Sequence, residues 1–178
     1  NAIVLNLLKF SRPSELLIER VKPEELVTEA LALFKYRAPG SSIRIETRFE
    51  DTGVSLSVDR NQVQQVLFNL FSNATDAMPG GGDLMIRTFK SPQHAALGGR
   101  PACVIEITDS GEGIASENLK KLFEPFFTTK RDKRGTGLGL SMSKTIVENH
   151  KGRLLIESEA GKGTRVSVVL PLDENTQS

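Results

Sequence analysis

Cysteine and net charge are both nearly missing from this chain. Cys103 is the only cysteine in 178 residues, which excludes an internal disulfide. Its place in the apolar run ACVIEI marks a buried thiol, plain core filler, in a protein kept in a reducing compartment. Lys and Arg number 23 against 22 Asp and Glu, a net charge of +1. That balance argues against a general nucleic-acid-binding surface and leaves only local basic clusters. No apolar run approaches bilayer-crossing length and no signal peptide opens the chain. No membrane contact is therefore expected of this segment, and a cytoplasmic location is expected, with an anchor elsewhere in a longer parent left open. Internal repeats and low-complexity tracts are lacking too. So are two familiar phosphate-binding signatures. No G-x-x-x-x-G-K-S/T occurs, and GTGLGL is not the dinucleotide fingerprint, because its third glycine is misplaced and no strand leads into it. With 38% hydrophobic and 25% charged residues, what remains fits one globular domain and a short additional element.

The stretch from Asp59 to Met78, DRNQVQQVLFNLFSNATDAM, organises that domain. Val63, Val66, Leu67, Leu70, Ala74 and Ala77 recur at helical spacing and predict an amphipathic helix on a core, with Asp59 and Gln62 able to form its capping box. Asn69, Asn73 and Asp76 follow one another at i, i+4 and i+7 and stack in a second stripe beside the apolar face. Carboxamides at a core edge cost about 1–3 kcal/mol each without partners, so a ligand can supply them; a solvated flank explains the same stripe.

Around this helix the chain punctuates itself clearly. Asn1 to Phe10 places Ile3, Val4, Leu7 and Leu8 on one helical face, ended by Ser11, Arg12 and Pro13. It reads as the tail of a longer helix or as an N-terminal docking helix, and its opening in mid-pattern suggests an excerpt of something longer. Leu16 to Val21 suggests a short strand. Pro23 then opens a helix to about Tyr36 with Leu26, Val27, Ala30, Leu31 and Phe34 inward. Ile43 to Phe49 and Val54 to Val58 alternate as strands on either side of an Asp51 to Gly53 turn. Pro79 to Gly82 ends the central helix, a strand runs from Asp83 to Phe89, and Ser91 to Pro101 reads as a loop. In the strand from Ala102 to Thr108, Cys103, Ile105 and Ile107 share a face, and Asp109 falls next on it. An acid aimed at the core side needs a donor, and Gly111 and Gly113 let the chain turn tightly and a flat ligand approach; an ordinary Asp-Gly turn is the plainer reading.

Leu119, Leu122 and Phe123 mark a short helix. Lys130 to Arg134 carries four positive charges and one negative with no apolar periodicity, a flexible basic loop. Its fusion to Gly135, Gly137 and Gly139 favours a phosphate-covering lid over an ordinary surface loop. A helix from about Ser141 to His150 follows, its N-terminus suited to an anion and its end capped at Lys151 and Gly152. Leu154 to Glu159 and Thr164 to Leu170 close the chain as a hairpin around Gly161 to Gly163, and Asp173 to Ser178 is a polar tail.

In order, NLFSNATDA, DSGEGI, FEPFFTTK, GTGLGL and GKGT resemble the N, first-glycine, F, second-glycine and third-glycine boxes of the sensor histidine kinase catalytic domain, a member of the GHKL or Bergerat superfamily. The resemblance covers residues 23–172, and NAIVLNLLKFSRP is similar to the end of the second helix of the dimerisation and phosphoacceptor domain. It implies residues 1–12 as a remnant of that helix, 13–22 as a linker, 23–172 as the catalytic domain and 173–178 as a tail. The implied fold is an α/β two-layer sandwich: a mixed sheet of about five strands under three helices, with an ATP lid. Pattern alone gives one or two strands more.

The resemblance also assigns roles. Asp109 is expected to accept the adenine amino group, with Gly113 allowing close approach of the base. Asn73 is the expected Mg²⁺ ligand, since an amide oxygen suits a hard cation already bridging phosphates, and Asn69 is expected at the phosphates and metal. Gly135, Gly137 and Gly139 would form the lid hinge with backbone amides on the phosphates. Lys130, or Arg131, Lys133 or Arg134, is expected at the γ-phosphate. Phe123, Phe126 and Phe127 are expected to pack the lid base. Thr164 orders the third glycine turn, by turn chemistry alone or also by touching the nucleotide edge. Asp76, Gly111, Ile114, Thr128, Thr129, Thr136, Leu138 and Leu140 complete the expected nucleotide-binding set, with Asn69 and Lys130 as the catalytic pair.

Related hydrolases in the superfamily of DNA gyrase, the mismatch-repair ATPases and a heat-shock chaperone resemble one another in placing a water-activating Glu where this chain has Asn69. An amide cannot act as a general base. Slow hydrolysis and transfer to an outside protein nucleophile are expected, driven by positioning and charge neutralisation. Neither histidine matches the family's acceptor: His150 caps a helix and His94 sits in a solvated loop. The chain is expected to bind ATP without labelling itself, and to pass phosphate to the acceptor domain of a homodimeric parent and on to a response regulator. A serine-directed kinase of the anti-sigma-factor type and a nucleotide-gated binding module without transfer are the alternatives.

Overall fold

The computed structural model describes residues 15–37, 42–50, 53–128 and 136–172. Within them the order is β1 (Ile18–Val21), α1 (Pro23–Arg37), β2 (Ile43–Phe49), β3 (Leu56–Asp59), α2 (Arg60–Asp76), β4 (Gly82–His94), a 3₁₀ turn (Ala95–Leu97), β5 (Arg100–Asp109), α3 (Ser116–Leu119), α4 (Gly139–Asn149), β6 (Arg153–Glu159) and β7 (Gly163–Pro171). The expected helix at 1–10, the basic loop and the polar tail lie outside the described residues.

A five-stranded sheet runs β2-β4-β5-β7-β6. β2 is parallel to β4 and every other neighbour pair is antiparallel, so the sheet is mixed. The long helices α1, α2 and α4 share one apolar core with this sheet, giving the expected two-layer α/β sandwich. Periodicity explains the contact: α2 buries Val63, Val66, Leu67, Leu70 and Ala74, and Phe71 beside them. From α1, Leu26, Val27, Ala30, Leu31 and Phe34 are buried against it, and the Phe34 ring meets Phe68 and Phe71 edge-on, 6.1 and 5.9 Å between centroids. Burying each Val, Leu or Phe side chain among these contributes about 1.5–3 kcal/mol. Cys103, Ile105 and Ile107 of β5 lie in the same core, which carries the strand's end, Asp109, up to the helices.

Several expectations change. The alternating segments at 43–49 and 54–58 do not pair with each other: β2 joins β4 in parallel, and β3 pairs antiparallel with β1 in a separate two-stranded sheet. Alternation fixes which face is buried but not which strand is the neighbour. Residues 91–101 are not a plain loop, because β4 continues through an irregularity between Ser91 and His94 and β5 begins at Arg100. The 3₁₀ turn there buries Leu97 on Ala102, Val104 and Val169, a small second core. His94 is half-buried, not solvated, and its Nδ1 accepts from the Ala96 amide at 3.2 Å to cap that turn. The expected helix around Leu119 to Phe123 is one turn, α3, followed by turns.

Candidate active site

A cleft of about 310 Å³ opens between α2 and α4 on one side and the ends of β5, β6 and β7 on the other. Asp109 stands at its inner end, 7% exposed. The Gly111 amide donates to its Oδ1 at 2.9 Å, and the Thr164 amide also donates to the carboxylate. Burial pushes the Asp109 carboxyl above the ordinary carboxylate value and outweighs the two amides, which pull it down. Its remaining lone pairs suit a ligand that brings hydrogen-bond donors. Gly113 lines the cleft with φ +67, and a Cβ there would sit 2.0 Å from the Glu159 carbonyl oxygen, so only glycine fits.

The α2 stripe supplies the polar wall, with Asn69, Asn73 and Asp76 all lining the cleft. Asn69 Nδ2 reaches across to the Gly139 carbonyl at 3.5 Å and to Ser143 Oγ at 3.4 Å, joining α2 to the start of α4. Gly139 and Leu140 open α4 on the cleft, and its N-cap, Leu138, makes no side-chain capping bond. A helix N-terminus without a cap is a ready anion site. The Phe126 amide donates to the Gly137 carbonyl at 3.0 Å. Gly137 has φ +66 and a Cβ there would lie 2.4 Å from the Phe126 carbonyl carbon.

Of the expected residues, Asn69, Asn73, Asp76, Asp109, Gly113, Ile114, Thr128, Thr136, Gly137, Gly139, Leu140 and Thr164 line this one cleft. Gly111, Phe123 and Leu138 do not. Gly111 acts on Asp109 instead, Leu138 is buried as the α4 N-cap, and Phe123 is half-buried against the core with the Lys144 ammonium 5.0 Å from its ring centre. Of the aromatic trio assigned to the lid base, Phe127 lines the cleft but Phe126 is 62% exposed, at φ +67. Thr129, Lys130, Arg131, Lys133, Arg134 and Gly135 lie outside the described residues. The sequence reading missed the apolar lining: Ile107, Ile156 and Val166 from the sheet and Leu70 and Ala74 from α2. The signal was present in alternation, since Ile107 precedes Asp109 by two and Val166 follows Thr164 by two. Among the described residues no group of three or more His, Cys, Asp or Glu could hold a metal by itself. A cation here needs oxygen donors from a ligand beside the Asn73 amide, and the hard oxygens of that stripe fit such an ion.

A polar end that accepts, an apolar slot and an anion-suited helix start, on a mixed sheet under three long helices, define a nucleotide-binding domain of Bergerat type. Residues 58–174 match the family of histidine kinase-, DNA gyrase B-, and HSP90-like ATPases, and the chain belongs to that family. It is 37% identical over 175 residues to Sporulation kinase C of Bacillus subtilis (strain 168), covering 98% of this chain and 39% of that protein. The chain thus spans about two fifths of that relative's length. The catalytic domain of histidine kinase ThkA, in a nucleotide-free form, superposes with a TM-score of 0.73 at 28% identity, covering 86% of this chain and 95% of that one. ThkA in complex with the response regulator protein TrrA gives a TM-score of 0.77 at 26% identity, covering 97% and 47%. The fold and relatives are those of the ATP-binding catalytic domain of sensor histidine kinases.

Proposed function

We propose that this chain binds ATP with Mg²⁺ and transfers the γ-phosphate to a histidine on a separate dimerisation and phosphoacceptor domain of its parent, for relay to a response-regulator aspartate. The reading rests on one juxtaposition: a buried carboxylate that needs donors, Asp109, and a helix N-terminus that needs an anion, at Gly139, share a single cleft. The base enters the slot between Ala74, Ile107 and Val166 with its amino group on Asp109, and the phosphates reach α4 and the α2 stripe. Mg²⁺ beside Asn73 supplies neutralisation of phosphate charge. Asn69 holds the phosphate end and, being an amide, activates no water. Lys130 is the cation proposed for the γ-phosphate. The parent is proposed to be a homodimer with its catalytic domain in the cytoplasm.

Self-labelling of the chain is not expected. Both ring nitrogens of His150 are engaged: Nδ1 donates to the Ile146 carbonyl at 2.8 Å and Nε2 accepts the Asp59 amide at 2.9 Å. The deciding experiment incubates the chain with labelled ATP, with and without the parent's acceptor domain. Acid-labile, alkali-stable label on the acceptor domain alone is the expected result. Acid-stable, alkali-labile label identifies a serine kinase, and nucleotide binding without label identifies a binding module.

A further inference from the structure

The polar end of the cleft contains a hydroxyl whose hydrogen is already committed. Ser158 on β6 faces Thr164 on β7 in the strand register. Its Oγ lies 2.8 Å from the Gly163 carbonyl oxygen, 2.8 Å from the Ile114 amide nitrogen and 2.9 Å from Thr164 Oγ1. A carbonyl oxygen only accepts and a backbone N–H only donates, while a hydroxyl has one hydrogen and two lone pairs. The Ser158 hydrogen therefore goes to Gly163, and the Ile114 amide fills one Ser158 lone pair. The other accepts the Thr164 hydroxyl hydrogen. Thr164 lines the cleft and Ser158 does not, so the oxygen that reaches the ligand has only lone pairs to offer. Beside it stands the Asp109 carboxylate, which also only accepts when ionised, with Asp109 and Thr164 opposite each other in the β5–β7 register.

We propose that Ser158 is a positioning residue for base selection: by taking the Thr164 hydroxyl hydrogen it makes the inner end of the cleft a surface of acceptors, which fits a 6-aminopurine and disfavours a 6-oxopurine. An amino group brings two hydrogens to such a surface. A 6-oxo group brings an acceptor and meets lone pairs, the mismatch that polar sites reject most strongly. The inference rests on the ATP-binding reading above and adds to it the group that sets the hydroxyl's polarity.

Calorimetric titration of the chain with ATP and with ITP, both with Mg²⁺, tests it. The unmodified chain binds ATP the more tightly. In Ser158→Ala the Thr164 hydroxyl is free to turn, donating to the 6-oxo group while Asp109 takes the adjacent ring N–H. ITP binding then strengthens relative to ATP by roughly three- to tenfold. Ser158→Thr, which keeps a hydroxyl, retains the original preference, and in a Thr164→Val background the Ser158→Ala shift disappears. Equal weakening of both nucleotides by Ser158→Ala means that Ser158 merely staples the hairpin to the Ile114 turn, and overturns the proposal. Should Ser158→Ala not fold, Thr164→Val alone decides: it weakens ATP more than ITP if the hydroxyl accepts from the ligand, and the reverse order overturns the inference. An unmodified chain that binds neither nucleotide overturns the ATP reading and this inference together. ATP selectivity with an unmoved ratio overturns this inference alone.

Discussion

Asp109 carries opposing demands in one side chain. Burial raises its carboxyl above the ordinary 3.8, and the Gly111 and Thr164 amides only partly offset that. A carboxyl raised in the folded state contributes stability that is fully present below the unfolded value and is lost as pH rises through the folded one. The ionised group is thus a net cost to the ligand-free fold at neutral pH, and under the proposed function that cost is offset by a ligand donor that needs it ionised. Three results follow at this residue. The stability of Asp109→Asn relative to the unmodified chain increases as pH rises from the ordinary carboxylate value through the raised one, read from urea denaturation at a series of pH values. In the same variant ATP affinity falls roughly 10- to 100-fold, the worth of a hydrogen bond to a charged group. The unmodified chain also loses ATP affinity on acidification through the raised value, and the variant's profile is flat there.

At the scale of elements, the junction under α2 ties three parts of the fold together. Asp59 caps α2 by accepting the Gln62 amide on Oδ1 at 3.1 Å, and its Oδ2 accepts the Leu17 amide at 3.1 Å just before β1. Its own amide donates to His150, which closes α4. Asp59→Ala should therefore cost about 1–2 kcal/mol, the loss of an N-cap, with a further loss from the stranded Leu17 amide. His150→Ala removes two buried hydrogen bonds and should cost about 2–3 kcal/mol. Both are measured by chemical denaturation, and Asp59→Asn, which keeps the cap oxygen, should recover most of the first loss. The sequence displayed the helix end at Asp59 through its cap and its 3.6 period, and it displayed His150 as a capping residue, but not that the two meet. They are 91 positions apart, and a meeting of that kind is decided by packing. The same limit explains β2: its alternation was visible, yet its parallel neighbour β4 lies beyond a whole helix. It also explains the cleft. Asn73 and Asp109 stood out because polar groups on a core face are costly, whereas Ile156 and Val166 looked like any other core residue.

For the whole molecule, the cleft is where the two layers part. The helix layer contributes the α2 stripe and the start of α4; the sheet layer contributes Asp109, Ile107, Ile156, Thr164 and Val166. Asn69 spans α2 and α4 at the cleft with contacts of 3.4 and 3.5 Å, and Gln65 joins the same helices to Met142 Sδ at 3.0 Å, so a nucleotide touching both layers adds joining interactions to these. On the sheet, charges pair across strands as Arg87–Glu106–Arg165–Glu157. A ligand that binds only the folded state adds about 2.7 kcal/mol at a hundredfold excess over its Kd. For a chain of this length that is a rise of roughly 5–10 °C in Tm. Thermal unfolding with ATP and Mg²⁺ should show this rise. Asp59→Ala starts from a lower Tm and shows the same increment at the same ATP concentration, because the cap stabilises the fold without touching the ligand. Asp109→Asn shows little increment at the ATP concentration that saturates the unmodified chain. An increment lost equally from both variants would mean that the cleft's shape depends on the α2 junction as a whole, and that Asp109 is not a distinct contact for the base.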